Sequence, residues 1–164
     1  RDAGAVYAIG RLVLFAPAGS PLIPDSRLED LGRRLENGEI RRFAIANPAH
    51  APYGVAAAEA LRAVGLWDAV ASHLVLGENI AQAAQFAASG NADGGLIAYS
   101  LAVAPQFSGK GRFALLPADL HAPLRQRMAL TAAATPEAER LFGYILSDRG
   151  RAVLERYGFG LPER

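Results

Sequence analysis

The stretch NPAHAPYG (Asn47 to Gly54) joins a strand-like run, RRFAIA (Arg41 to Ala46), to an Ala-rich helical pattern. A second stretch, GENIAQ (Gly77 to Gln82), joins the run SHLVLG (Ser72 to Gly77) to another helical pattern. Both put backbone-shaping residues at the mouth of a helix. The chemistry open to such a mouth is anion binding. A helix start offers unpaired N–H groups and the positive end of the helix dipole. Pro52 can occupy the first turn without losing a needed donor. Tyr53 then presents its N–H near the first mouth, and Asn79-Ile80 does the same at the second. Taken alone the layout is generic, because every α/β domain has helix starts and most bind nothing.

Other chemistries find less support. The sequence has no G-x-S-x-G, no H-E-x-x-H and no P-loop. SGKGR (Ser108 to Arg112) resembles a phosphate loop only faintly; it lies between strand-like runs and reads as a hairpin turn. His50, His73 and His121 lack metal-ligand spacing and read as turn or core histidines. Cysteine is absent, which removes thiol chemistry, Cys-based zinc sites and disulfides.

The elements that must position the two mouths follow from periodicity. RLVLFAPAG (Arg11 to Gly19) is a strand ending in a Pro/Gly turn. Asp25 to Gly38 is a helix with Asp25 and Ser26 as N-cap candidates and Leu28, Leu31 and Leu35 on one face. RRFAIA leads to a helix from about Pro52 to Val64, stopped by Gly65. SHLVLG leads to a helix closed by Gly90-Asn91. GGLIAYSLA (Gly94 to Ala102), RFALLP (Arg112 to Pro117) and PLRQRMALTAA (Pro123 to Ala133) read as strands. Thr135 caps the closing helical segments, with Pro136 at the first helical position. Strands alternating with helices predict an α/β fold with a mostly parallel sheet flanked by helices.

Composition agrees. The chain has 164 residues, 51% apolar and 20% charged, with a net charge of +1. That suits one domain or two small lobes and suggests neither a nucleic-acid groove nor a membrane anchor. No apolar run is long enough to cross a bilayer. The chain starts at Arg1 with no visible signal peptide.

The order of segments is specific. YAIGRLVLFAPAGSP, IANPAHAPYGVAAAEALRAVGLW, HLVLGENIAQAAQFAASGNADGGLIAYS, APLRQRMAL and LFGYILSDRGRAVLERYGFGLP together resemble the periplasmic molybdate-binding proteins of ABC transporters. The N-P-x-H-x-P-Y-G, L-G-E-N-I and Y-G-F-x-L-P elements carry most of the likeness. The resemblance implies a type II periplasmic-binding-protein fold, with three-layer αβα lobes that close over a tetrahedral oxyanion, molybdate or tungstate. It implies a binding protein rather than an enzyme, with no cofactor and with the membrane permease of an ABC transporter as partner. Tyr53 and Ile80 match positions that bind the oxyanion through backbone N–H groups, and the Tyr53 side chain shapes or covers the pocket. Some members add a tyrosine hydroxyl from the strand corresponding to GLIAYS. The matching position here is Ala98, with Tyr99 beside it, so that contact does not carry over.

The resemblance also implies a domain plan. Residues 1–10 cross over from a first lobe, 11–122 form a complete second lobe, and 123–164 cross back to build part of the first. The family begins with about half a lobe more, bearing serine- or threonine-rich loops that supply further donors. The expectation is therefore an N-terminally truncated fragment with weakened binding. Its apolar tail residues Leu141, Phe142, Ile145 and Leu154 would be exposed and would favour self-association. Two alternatives remain on sequence grounds: a receptor for sulfate or phosphate, and a ligand-sensing regulatory domain of the same fold.

Overall fold

The computed structural model describes residues 4–163. Residues 1–3 of the expected 1–10 crossover, and residue 164 of the tail, lie outside the described residues. The main sheet has five strands: β2 (Leu12–Pro17), β3 (Phe43–Ala46), β4 (Leu74–Gly77), β5 (Gly94–Ala98) and β6 (Gly111–Leu115). Their order is β4-β3-β5-β2-β6. A separate two-stranded ribbon pairs β1 (Ala5–Gly10) with β7 (Leu124–Met128).

The α/β architecture is as expected, but the sheet is mixed rather than mostly parallel. β3 is parallel to β4 and to β5, with Phe43 opposite Leu74 and Gly94. β2 is antiparallel to β5 and to β6. The helical crossovers, α2 (Pro52–Ala63) with the short α3 (Trp67–Ala71) and then α4 (Ile80–Ala88), return the chain to the same end of the sheet and give parallel pairs. β2 instead enters directly from the ribbon and runs the other way. SGKG is not a hairpin either, because β5 and β6 lie on opposite sides of β2. The strand expected over Gly94–Ala102 stops at Ala98, where Tyr99 opens the short helix α5 (Tyr99–Ala102).

Both faces of the sheet are covered, which gives three layers. Leu12, Leu14, Phe43, Ile45 and Leu96 face one core with Leu28, Leu31, Ala57 and Leu61. Val13, Phe15, Ala44 and Ile97 face the other with Ala84, Ala87 and Phe107. Period-2 alternation along β2 sends successive side chains to opposite cores. The small residues of α2 let it lie close to the sheet. A Cβ on Gly54 would overlap the Ala46 carbonyl oxygen.

The helix α1 (Glu29–Glu36) is shorter than expected. Asp25 caps it from a distance, accepting from the N–H groups of Arg27 at 2.8 Å, Glu29 at 3.1 Å and Asp30 at 3.0 Å. Leu28 adopts φ 61°, so the chain turns before the helix starts. Asp30 is 4% exposed and paired. Its carboxylate accepts from the Ile23 N–H at 2.7 Å, Arg34 Nε at 2.7 Å and Arg33 at 2.8 Å. Burial alone would raise its pKa, but these donors overcome it and hold the group below its ordinary value.

The chain closes with α6 (Pro136–Leu146) and α7 (Asp148–Arg156). The Thr135 hydroxyl caps α6, accepting from Ala138 N–H at 3.4 Å. No residue of α6 is buried, and in α7 only Gly150 is. The expected exposure holds for Leu141, at 59%. Phe142, Ile145 and Leu154 are instead half-buried, because α6 and α7 pack against each other. Tyr144, Leu146, Val153 and Tyr157 are the further exposed apolar residues of this pair.

Candidate oxyanion-binding site

Two helix mouths lie side by side at the carboxyl ends of parallel neighbours β3 and β4. Ala46 stands opposite Gly77 at the last pair of that ladder. The loops that follow are tied at their base by Asn47 N–H donating to the Gly77 carbonyl at 2.8 Å. In an open α/β sheet this is where ligands bind.

At the first mouth, Ala51 is the N-cap and Pro52 takes the first helical position. Proline has no N–H, and the Gly54 and Val55 N–H groups both donate to the Ala51 carbonyl, at 2.9 and 3.1 Å. Among the described residues no acceptor meets the Tyr53 N–H. The sequence Ala-Pro-Tyr-Gly thus leaves a single open donor.

At the second mouth, Asn79 is the N-cap and its Oδ1 accepts from the Gln82 N–H at 3.0 Å. The Gln82 side chain reaches back and its Oε1 accepts from the Glu78 N–H at 2.7 Å. This is a reciprocal cap. It consumes the third helical N–H and leaves those of Ile80 and Ala81 without protein acceptors among the described residues. The spacing N-x-x-Q in ENIAQ carried this signal, and it marks Ala81 as a second open donor that sequence reasoning missed.

The Tyr53 and Ile80 side chains pack on one small cluster, Ala46, Ala51 and Ala83. The structure therefore packs the side chains of the two expected donor residues on one cluster. Small residues are required there. A Cβ on Gly77 would lie 2.5 Å from the Ala83 nitrogen, so α4 could not approach β4 as closely. The Tyr53 ring also reaches the main core, and burial first, then the nearby Tyr7, pushes its phenol pKa up to about 12.

Ala98 is buried in β5. The Tyr99 N–H donates to the Arg11 carbonyl at 2.9 Å, and its ring stacks obliquely on Phe113 at 5.8 Å and lies against Gly158. Tyr99 is thus committed to packing. From sequence His50 reads as a turn or core histidine; it sits in a turn, and its ring crosses to the other loop. His50 Nε2 lies 3.0 Å from the Glu78 carbonyl oxygen.

A cavity of about 860 Å³ lies elsewhere. It lies beside the β1/β7 ribbon among Ile9, Gly10, Arg11, Leu116, His121 and Arg125, and contains neither expected donor. A groove of about 440 Å³ flanks the first mouth through His50, Pro52 and Glu59. Among the described residues no group of three or more His, Asp or Glu side chains is placed to hold a metal ion. The donor set at the mouths is backbone N–H, which suits an oxyanion and not a cation.

Comparison with known proteins agrees with this chemistry. The molybdate-binding protein ModA of Azotobacter vinelandii is 36% identical over 157 residues, covering 94% of this chain and 60% of that protein. ModA of Rhodobacter capsulatus is 32% identical, covering 93% of this chain and 58% of its own length. The solved structure of the Azotobacter vinelandii periplasmic molybdate-binding protein superposes with a TM-score of 0.82 at 28% identity, over 99% of this chain and 70% of that one. The chain thus spans about 60% of the length of these curated relatives. The family described as bacterial extracellular solute-binding protein matches residues 1–160. With its segment order, fold and paired helix mouths all in agreement, the chain belongs to the bacterial extracellular solute-binding proteins.

Proposed function

We propose that this chain binds a tetrahedral oxyanion, molybdate or tungstate, through the backbone N–H groups of Tyr53 and Ile80. The observation that carries the reading is the pairing of two open helix mouths on the single cluster Ala46, Ala51 and Ala83. The names of the relatives support the choice of ion. The role is that of the solute-binding component of an ABC transporter, delivering its cargo to a membrane permease, with the periplasm as its compartment. It is a binding role and not an enzymatic one. The oxyanion is cargo, so no cofactor is called for.

The physics favours a dianion that carries no proton. Such an ion accepts hydrogen bonds and donates none, so a site of N–H donors suits it and rejects ions that must donate. A hydrogen bond to a charged acceptor contributes about 1.5–3 kcal/mol. Each helix end adds roughly 0.3–1 kcal/mol, and up to about 2 when partly buried. Two such mouths give weak binding.

Calorimetric titration with molybdate, tungstate and sulfate, alongside amide NMR shifts of the labelled chain, tests the proposal. Selective shifts of Tyr53 and Ile80 with molybdate or tungstate are expected. A larger response to sulfate would move the assignment to another oxyanion. No response to any of the three would overturn the view that these two donors form a site.

A further inference from the structure

The oxyanion reading leaves one feature of NPAHAPYG unused, the histidine. We propose that His50 is a positioning residue that clasps the two anion-binding loops together and so sets the Ile80 N–H; this rests on the reading of Tyr53 and Ile80 as the donors.

The two donors stand at the starts of different helices, α2 and α4, and the loops that lead into those helices are tied to each other at two levels. At the base, the Asn47 N–H holds Gly77 at 2.8 Å. Farther out, His50 Nε2 lies 3.0 Å from the Glu78 carbonyl oxygen and 3.4 Å from its carboxylate. A carbonyl can only accept, so Nε2 carries the proton in this contact. His50 is itself anchored by its own turn. Its N–H donates to the Asn47 carbonyl at 3.3 Å, and the Ala49 N–H donates to Asn47 Oδ1 at 3.0 Å. On the other side, the Glu78 N–H is held by Gln82 at 2.7 Å. The Glu78 residue is therefore gripped at both its N–H and its C=O, immediately before Asn79 and Ile80. A carbonyl engaged by His50 cannot turn toward a bound anion, where its negative end would oppose binding.

A core role does not account for the contact. The His50 side chain is 49% exposed and that of Glu78 is 76% exposed. A contact so open contributes little to folding, so its effect belongs to the geometry of the mouths.

The test compares wild type with His50→Ala, His50→Gln and Glu78→Ala. Molybdate titration, followed by calorimetry and by amide shifts, is expected to show His50→Ala weakened roughly 3- to 10-fold, the effect of one neutral hydrogen bond. His50→Gln keeps a donor and should recover most of the loss. Glu78→Ala keeps the carbonyl, so the loss on His50→Ala should persist in the Glu78→Ala background. Thermal midpoints of all three should match wild type. Equal affinity of His50→Ala and wild type would overturn the proposal, as would failure of glutamine to rescue. A ligand-free readout separates the two readings. If no oxyanion binds, the functional reading falls, but the clasp is still decided by imidazole NMR and by exchange of the Glu78 amide, which donates to Gln82. An Nε2–H tautomer, with faster Glu78 exchange in His50→Ala, supports it. The other tautomer, or unchanged exchange, overturns it.

Discussion

The hydroxyl of Tyr53 stands where a Cβ on Gly10 would have to go. The same Cβ would lie 2.9 Å from Tyr53 Cζ and 3.0 Å from Leu124 Cβ. Gly10 ends β1 opposite Leu124 of β7, so the phenol runs from the mouth of α2 to the strands that leave the main sheet. Glycine at position 10 is a steric requirement of that ring. Gly10→Ala should destabilise the chain by about 1–3 kcal/mol, the usual cost of overpacking. Adding Tyr53→Phe should return part of it, because the first atom in the way is then gone. Urea unfolding of the two single variants and the double variant measures the coupling. Strict additivity would show that the contact is not the cause.

The phenol also has a spectroscopic signature. Burial and the neighbouring Tyr7 raise the Tyr53 pKa to about 12 from an ordinary 10.0. A raised native pKa means that this contribution to stability is whole below pH 10.0 and is lost as pH rises through about 12. Of the five tyrosines, one should ionise late in an alkaline absorbance titration, and Tyr53→Phe should remove that late step. A late step that survives in the variant would assign it elsewhere.

Asp30 works in the opposite direction. Its native pKa lies below the ordinary 3.8 despite burial. Its contribution is therefore present above that value and lost as pH falls through the lower native one. Asp30→Asn should cost about 1.5–3 kcal/mol near neutral pH, the scale of hydrogen bonds to a charged group. The gap from wild type should narrow in acid. A gap that stays constant down to the acid transition would show that the charge is not what matters.

Proline substitution can remove a donor and leave the helix in place. Ile80 is the first residue of α4, and Asn79 before it is already extended, with φ −150° and ψ 173°. A proline is tolerated at such a position. Ile80→Pro should therefore lower molybdate affinity roughly 10- to 100-fold with little change in far-UV circular dichroism. Unchanged affinity would remove Ile80 from the site.

The closing helices carry a prediction about association. Leu141 and Tyr144 on α6, Val153 on α7 and Tyr157 just after it are exposed apolar residues. Exposed apolar surface favours self-association. Sedimentation velocity should show an average mass that rises with concentration, and Leu141→Glu with Val153→Glu should reduce the rise. A single monomer mass at all concentrations would refute it.

Much of the site was legible in the sequence by itself. Proline at a helix start and a strand-like run breaking into an Ala-rich pattern are local rules, and they placed Tyr53 and Ile80 at helix mouths without a tertiary contact. Local rules also gave the strands of the main sheet, the Thr135 cap and the stops at Gly65 and Gly90; they missed β1 and ran the strand expected over 123–133 past Met128. Strand direction was not local. The parallel tendency read from alternating elements failed at β2, because its neighbours β5 and β6 are chosen by the fold and not by adjacency in the chain. The same holds for Tyr99, whose place after a buried strand said nothing of Phe113 or Gly158. His50 and Glu78 are 28 residues apart, and only the parallel pairing of β3 with β4 sets their loops side by side. Sequence determined which backbone groups are left open. Tertiary structure decided which helix mouths are neighbours, because only the parallel pairing of β3 with β4 sets the starts of α2 and α4 side by side.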